Sequence, residues 1–420
     1  MNDSIAILGR QPALGLAELE SLYGAASIRP VGAQAAHLSL APCSIDFSRL
    51  GGTIKLCKVL AVQDTTDWRA IQRFLVKVAP AQAQRMPEGK MHLGLSAYDM
   101  SASPSQLLAL GLSLKKAIQK DTGRSVRLVP NKSAELNTAQ VIHNKLTSPN
   151  GWELVFVRDG NRTIIARTTN IQDIADYTIR DRERPKRDAR VGMLPPKLAQ
   201  TIINLAIGPA EYTAVAPTLA GDICLSEADT AKMRAGRSTT TVLDPFCGTG
   251  VVLQEALLMG YRAYGTDVEP RMAAYSTANL EWLDTIYHTG TDTWRVQQGD
   301  ATSTTWEAPV SAVACESYLG RPFTATPAPD VLAQTMADCN LIIKKFLRNI
   351  HGQIAPGTRL CVAIPAWQTR PNQFRRLTLI DQLSDMGYNQ VSFQHVRGAD
   401  LLYYRADQIV ARQLLIITRK

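Results

Sequence analysis

The sequence is short of several things. Its seven cysteines, Cys43, Cys57, Cys224, Cys247, Cys315, Cys339 and Cys361, include no C-x-x-C pair. That removes the pattern of a zinc ribbon or a disulfide framework, and fits reduced thiols in a cytoplasmic protein. No cluster of His, Cys and carboxylate residues has metal-ligand spacing, so no metal is expected. No apolar run reaches the roughly 18 residues of a membrane span, so none is expected. The opening stretch MNDSIAILGRQPALG carries an early acid and no long apolar core, so no signal peptide is expected either. There is no three-glycine G-x-G-x-x-G turn of the kind that admits a dinucleotide pyrophosphate.

What is present is a 420-residue chain of 45.9 kDa, with room for about two to three domains. Its formal charge of +9 and pI near 9.2 favour an anionic partner such as nucleic acid.

The stretch that organises the chain is TVLDPFCGTGVVLQEALLMGYRAYGTDVEP, residues 241–270. A β-branched, apolar strand at 241–243 leads into the turn Asp244-Pro245-Phe246-Cys247-Gly248-Thr249-Gly250. A helix over 251–259 follows, Gly260 stops it, and a second strand at 262–266 ends on Asp267. This strand–turn–helix–strand–acid unit is the βαβ arrangement that holds a nucleoside-bearing cofactor. Gly248 and Gly250 let backbone turn tightly and approach a ligand closely. The helix N-terminus behind them offers free N–H groups. Asp267 can accept hydrogen bonds from a ribose diol. Asp244 would repel phosphate and suit an ammonium or hydroxyl, which favours S-adenosylmethionine over a dinucleotide. The heptapeptide DPFCGTG closely resembles motif I of S-adenosylmethionine-dependent methyltransferases that act on exocyclic amino groups of nucleobases.

Upstream, strands are expected at 4–8, 36–40 and 55–62, with a helix at 12–23: a small α+β layer, ferredoxin-like in order. Helices at 68–78, 105–120 and 137–145 and strands at 92–97 and 126–129 follow. A hairpin over 152–158 and 163–168 turns at Asp159-Gly160. Lys115, Lys116, Lys120, Arg124, Arg127, Lys132 and Lys145 make this region basic, as a solvated helix face or a phosphate-binding surface. Residues 176–188 are dense in charge and contain Pro185, so an extended connector is expected. Arg180, Arg184 and Lys197 could contact RNA or the cofactor carboxylate, or only lace a linker. Pro195-Pro196 opens a helix through Ala206. Residues 218–238 read as a loop-like insert.

The combination RDRERPKRDARVGMLPPKLAQTIINLA and then DPFCGTG resembles the THUMP-containing tRNA guanosine N2-methyltransferases. The likeness runs from about Ser105 onward and is most specific over 180–267. It implies an α/β chain with a C-terminal Rossmann-like methyltransferase domain, preceded by α+β ferredoxin-like and THUMP-like modules. The divisions expected are 1–65 (ferredoxin-like), 66–170 (THUMP-like, RNA-binding), 171–206 (linker and leading helix) and 207–420 (methyltransferase). It also implies tRNA or another structured RNA as partner; a small activating protein partner is left open.

After Asp267 the sequence predicts a helix at 271–283, strands at 294–297, 310–315 and 358–364, and helices at 330–349 and 372–386. Strands at 388–395 and 408–418 close the domain as an antiparallel pair. In related methyltransferases an acid after the third strand meets the adenine amino group, which points to Asp300. The candidate cofactor residues are Asp244, Phe246, Cys247, Gly248, Thr249, Gly250, Asp267, Val268, Asp300 and Ala301. Amino-methyltransferases of this class carry an acid-Pro-Pro-aromatic tetrad after the fourth strand; here it reads Glu316-Ser317-Tyr318-Leu319. By that resemblance the catalytic candidates are Glu316, Ser317 and Tyr318. Glu316 would accept from the target amine and Tyr318 would cover the flipped base. Three readings stay open: an RNA amino-methyltransferase, a DNA adenine or cytosine N-methyltransferase, and a non-catalytic RNA-binding protein with a vestigial pocket.

Overall fold

The computed structural model describes residues 3–188, 194–209, 239–307, 309–323, 325, 327–370, 372–405 and 407–420. The expected insert at 218–238 lies outside them.

The N-terminal half is one eight-stranded sheet. Its elements are β1 (Ser4–Leu8), α1 (Pro12–Tyr23), β2 (Ile28–Val31), β3 (Ala35–Leu38), β4 (Thr53–Gln63), α2 (Trp68–Gln84) and β5 (Met91–Tyr98). α3 (Pro104–Thr122), β6 (Val126–Leu128), α4 (Thr138–His143), β7 (Gly151–Asp159) and β8 (Arg162–Ile171) complete it. The strand order is β2-β3-β1-β4-β8-β7-β5-β6. β2 lay unread in the sequence because Pro30 interrupts it; as the outermost strand it can spare that N–H. α2 starts on Asp67, whose carboxylate accepts from the Arg69 and Ala70 amides, and α3 starts on a Ser103–Gln106 capping box.

A buried charge pair ties the middle of this sheet together. Lys55 on β4 meets Glu153 on β7 with both side chains out of solvent. Ser96 on β5 donates to Glu153 Oε1 and Thr168 on β8 to Oε2, each at 2.6 Å. Lys55 also donates to the Leu136 carbonyl at 2.8 Å. Four adjacent strands thus share one carboxylate, which meets the requirement that a buried charge be paired and saturated with hydrogen bonds.

The connector departs from the extended form expected of it. α5 (Ile174–Thr178) runs into a π-helical turn, Ile179–Glu183. The reason is that its charges are matched rather than solvated. Buried Arg180 binds Glu255 at 2.7 Å and Asp176 at 3.2 Å, and lies over the Tyr177 ring.

α6 (Pro196–Ile207) then wedges between the halves, buried along almost its whole length. Its Asn204 donates to Glu18 Oε1 and to the Arg49 carbonyl, both at 2.8 Å, and accepts from Arg49 Nε at 3.0 Å. Arg49 continues to the Tyr261 hydroxyl. Glu20 accepts the amides of Gln394 and His395. Leu14 and Ala17 of α1 share a core with α6 and the C-terminal sheet.

The C-terminal half contains β9 (Thr241–Asp244), α7 (Val251–Leu258), β10 (Arg262–Asp267), α8 (Pro270–Tyr287), β11 (Trp294–Gln298) and β12 (Ala312–Glu316). α9 (Pro329–His351), β13 (Arg359–Arg370), β14 (Gln373–Arg376), β15 (Tyr388–Gln390), β16 (Leu402–Tyr403) and β17 (Val410–Arg419) follow. Strand order is β11-β10-β9-β12-β13-β17-β15, with β17 antiparallel to β13. This is the Rossmann-like arrangement, closed by the antiparallel strand the sequence predicts. Two expectations fail locally. Residues 372–386 form β14 and a 3-10 turn, Thr378–Gln382, in place of a helix, because 373–376 extends the edge of β13. The strand expected at 388–395 stops at Gln390: the Val391 amide makes a last bond to the Ile416 carbonyl, and the Gln394 and His395 amides turn to Glu20 on the other half. Among the described residues no helix is long and apolar enough to cross a membrane.

Candidate functional site

Strand order reverses between β9 and β12: the chain runs outward from β9 to β11, then returns to β12 on β9's other side. The carboxyl ends of such strands at the switch point are where ligands bind in open α/β sheets. Asp244, Asp267 and Glu316 are the last residues of β9, β10 and β12.

The turn after β9 is fixed from inside and behind. Asp244 is buried, and its Oδ1 accepts the Phe246 amide at 3.1 Å. Burial pushes its carboxyl well above the usual range; that hydrogen bond opposes the shift, and the charges of Asp267 and Glu316 add to it. Gly248 and Gly250 have φ of 52° and 84°, values a side chain rarely adopts. A Cβ on Gly250 would also lie 3.0 Å from Ser276 Oγ. α8 braces the turn with two polar residues one turn apart. Ser276 Oγ donates to the Gly248 carbonyl at 2.9 Å and Asn279 Nδ2 to the Thr249 carbonyl at 2.8 Å. Asn279 also exchanges both hydrogen bonds with the Lys186 backbone, each 2.9 Å, pinning the connector to the corner. Cys247 is buried, with its amide on the Thr266 carbonyl, and burial drives its thiol up, away from reactivity.

Asp267 holds the mouth of the turn. Its Oδ2 accepts from Gly248 and its Oδ1 from Glu269, both at 2.9 Å. A carboxylate has about four acceptor positions, so two remain for a diol. Burial raises this carboxyl, and the two amides counter part of the shift. Beside it Val268 leaves an apolar side chain 58% exposed. Asp300 is exposed after β11, with Oδ1 on the Thr302 amide at 2.8 Å, while Ala301 is buried beneath it. Phe246 packs edge-on against Phe346, and Thr249 is buried in the turn.

At the end of β12, Glu316 pairs with Arg412 Nε on β17. Ser317 is buried, and both its amide and its hydroxyl donate to the Ala363 carbonyl at 3.0 Å, so it braces the backbone. Tyr318 stands 44% exposed beyond it, with its phenol raised by partial burial.

The other cations named from the sequence divide. Arg180 is engaged by Glu255 and Asp176, and Lys197 donates to Gln172 at 2.6 Å. Arg184 is buried with no hydrogen bond to its guanidinium among the described residues. Sequence reading missed Ser276, Asn279 and Arg412. The first two carry a signal in hindsight, as polar residues three apart on the buried face of a helix. Arg412 carries none, because its place in an alternating strand reveals nothing of a partner 96 residues away. Among the described residues no group of three or more His, Cys, Asp or Glu could hold a metal ion.

No family model matches the chain. It is 28% identical over 175 residues to the tRNA (guanine(10)-N2)-dimethyltransferase of Methanothermobacter thermautotrophicus, covering 41% of this chain and 39% of that one. It is 31% identical over 176 residues to the enzyme of the same name from Pyrococcus abyssi, with the same shares. The chain thus spans about two fifths of the length of the curated relatives it matches. Among solved structures it is similar to TrmN from Thermus thermophilus, at 15% identity and a TM-score of 0.49, over 100% of this chain and 99% of that one. A possible methylase from Clostridium difficile aligns at 12% identity and a TM-score of 0.48, over 99% and 97%.

Proposed function

We propose that the protein transfers a methyl group from S-adenosylmethionine to an exocyclic amine of RNA, with guanosine N2 in tRNA as the target. The observation that supports this most is the corner itself: a positive-φ glycine turn, capped by Asp267, between strands that end in Asp244 and Glu316. In this reading the turn backbone around Phe246, Cys247, Gly248, Thr249 and Gly250 lies along the cofactor. Asp267 takes the ribose diol, Val268 and Ala301 flank the adenine, and Asp300 accepts its amino group. Asp244, raised by burial, is favoured in its ionised form by a cationic cofactor beside it.

The reaction is an in-line displacement at the sulfonium methyl, so much of the rate comes from positioning. The amine nitrogen bonds to the methyl carbon as the carbon–sulfur bond breaks, and the electron pair goes to sulfur. An exocyclic amine is a weak nucleophile because its lone pair is delocalised into the ring. Glu316 hydrogen-bonds that amine and takes its surplus proton, Tyr318 covers the base, and Ser317 holds the strand end rigid. The basic N-terminal half, divided as 1–65 and 66–170, supplies the RNA grip, and the cytoplasm is where such an enzyme would work. The partial match to tRNA guanine-N2-dimethyltransferases supports the choice of target.

Calorimetry with S-adenosylmethionine, tritium transfer to bulk tRNA and mass spectrometry of the product nucleosides test the proposal. N2-methylguanosine is the expected product. Methylated adenine or cytosine in DNA would replace the substrate assignment. Absence of cofactor binding would leave a non-catalytic RNA-binding protein.

A further inference from the structure

Glu316 does not stand alone at the end of β12. Arg412 lies on β17, two strands away, and its side chain crosses the intervening β13 to reach Glu316 Oε1. The register explains the reach. Glu316 is opposite Ala363, while Arg412 is opposite Pro365 two residues further along β13. Arg412 is nearly buried, and its guanidinium lies 6.0 Å from the ring of Tyr403, its own partner across β16 and β17. Glu316 is likewise mostly withdrawn, at 14% exposure. Among the described residues nothing else hydrogen-bonds the Glu316 carboxylate, so Oε2 stays open.

We infer that Arg412 is a positioning residue for methyl transfer: by holding Oε1 it fixes the rotation of the Glu316 carboxylate and presents Oε2 to the substrate amine. This rests on the methyltransferase reading above. A charged, hydrogen-bonded partner keeps a half-buried carboxylate in one geometry. The amine donates one N–H to Oε2, its nitrogen takes the methyl carbon, and the proton released from the resulting ammonium passes to Oε2. Arg412 exchanges no proton in that step.

The experiment is a double-mutant cycle on the full chain with Arg412→Met, Arg412→Lys, Glu316→Gln and the Glu316→Gln/Arg412→Met double variant. Single-turnover tritium transfer to bulk tRNA gives the rate, calorimetry gives the Kd for S-adenosylmethionine, and thermal melts check folding. R412M is expected to lower kcat about 10- to 100-fold with KM and cofactor Kd nearly unchanged, and R412K to recover much of the loss. Because both residues act through one carboxylate, the double variant should be no slower than E316Q. The double variant also leaves no lone buried charge, so it reports even if R412M fails to fold. R412M at the wild-type rate, or a double variant slower by the product of the two single losses, would overturn the role of Arg412 alone. E316Q at the wild-type rate would remove Glu316, and Arg412 with it. A wild-type protein that binds no S-adenosylmethionine would sink the underlying function itself.

Discussion

Asn279→Ala should loosen the glycine corner and the connector together, and its cost can be worked from the structure. Asn279 is fully buried in α8 and makes three hydrogen bonds, one to the turn and two to Lys186. Each intramolecular hydrogen bond contributes about 1 kcal/mol net. Truncation also leaves the Thr249 carbonyl buried without a partner, worth about 1–3 kcal/mol, whereas the Lys186 groups are partly wet and lose less. Counting the Thr249 bond once, through its stranded carbonyl, and the two Lys186 bonds at up to about 1 kcal/mol each, the sum is about 3–5 kcal/mol. Urea denaturation followed by far-UV circular dichroism would read it as a lower midpoint at unchanged slope. Ser276→Ala removes a single bond to the same turn and should cost only about 1 kcal/mol. Affinity for S-adenosylmethionine should fall with the corner's order, more for N279A than for S276A. A loss below about 1 kcal/mol in N279A would refute the reasoning, since three good bonds would then be holding nothing.

Three further outcomes are expected. Burial raises Glu255 to about 7 from 4.5, against the opposing charge of Arg180. A carboxyl raised in the folded state contributes stability that is complete below about 4.5 and lost as pH rises through about 7. The stability difference between wild type and Glu255→Gln should therefore shrink between pH 5 and 8, and a pH-independent difference from denaturation curves would contradict this. Glu153→Ala strands Lys55 without its ion partner and should cost about 3–5 kcal/mol, while the Lys55→Met/Glu153→Leu pair should cost far less. Equal losses by calorimetric melting would count against that account. Gly250→Ala forces a side chain into a backbone at φ 84° and against Ser276, so it should lose about 1–2 kcal/mol and weaken cofactor binding measurably by titration.

The Rossmann-like half was legible because its signals are local. Its central strands β9, β10 and β12 are short runs that end on an acid, and 241–267 reads almost residue by residue as β9, α7 and β10. The hairpin at Asp159-Gly160 was legible for the same reason, with Gly160 at φ 61°. What failed was everything decided by a distant partner. Residues 176–188 carry the composition of a solvated linker, yet Arg180 is buried because Glu255, 75 residues on, receives it. The strand expected at 388–395 gives way to amides that turn to Glu20, more than 370 residues earlier. In the candidate site, the acids at strand ends followed from motif and order. Asn279, which braces the turn, left only the faint signal of a polar residue three places from Ser276 on a buried helix face, and Arg412, which holds Glu316, lies on a far strand where neither spacing nor residue type singles it out.

The Asn204 hub has a consequence for how a target would be chosen. One amide on α6 engages Glu18 and Arg49 from the first half of the chain, and Arg49 reaches Tyr261 on the second. With Glu20 clasping Gln394 and His395 nearby, the two halves are bolted at separate points. Lobes joined this way behave as a caliper with its jaws locked. On the proposed function, the span from an RNA held by one jaw to the methyl at the other would be a property of the protein, and the nucleotide modified would be the one that lies at that distance.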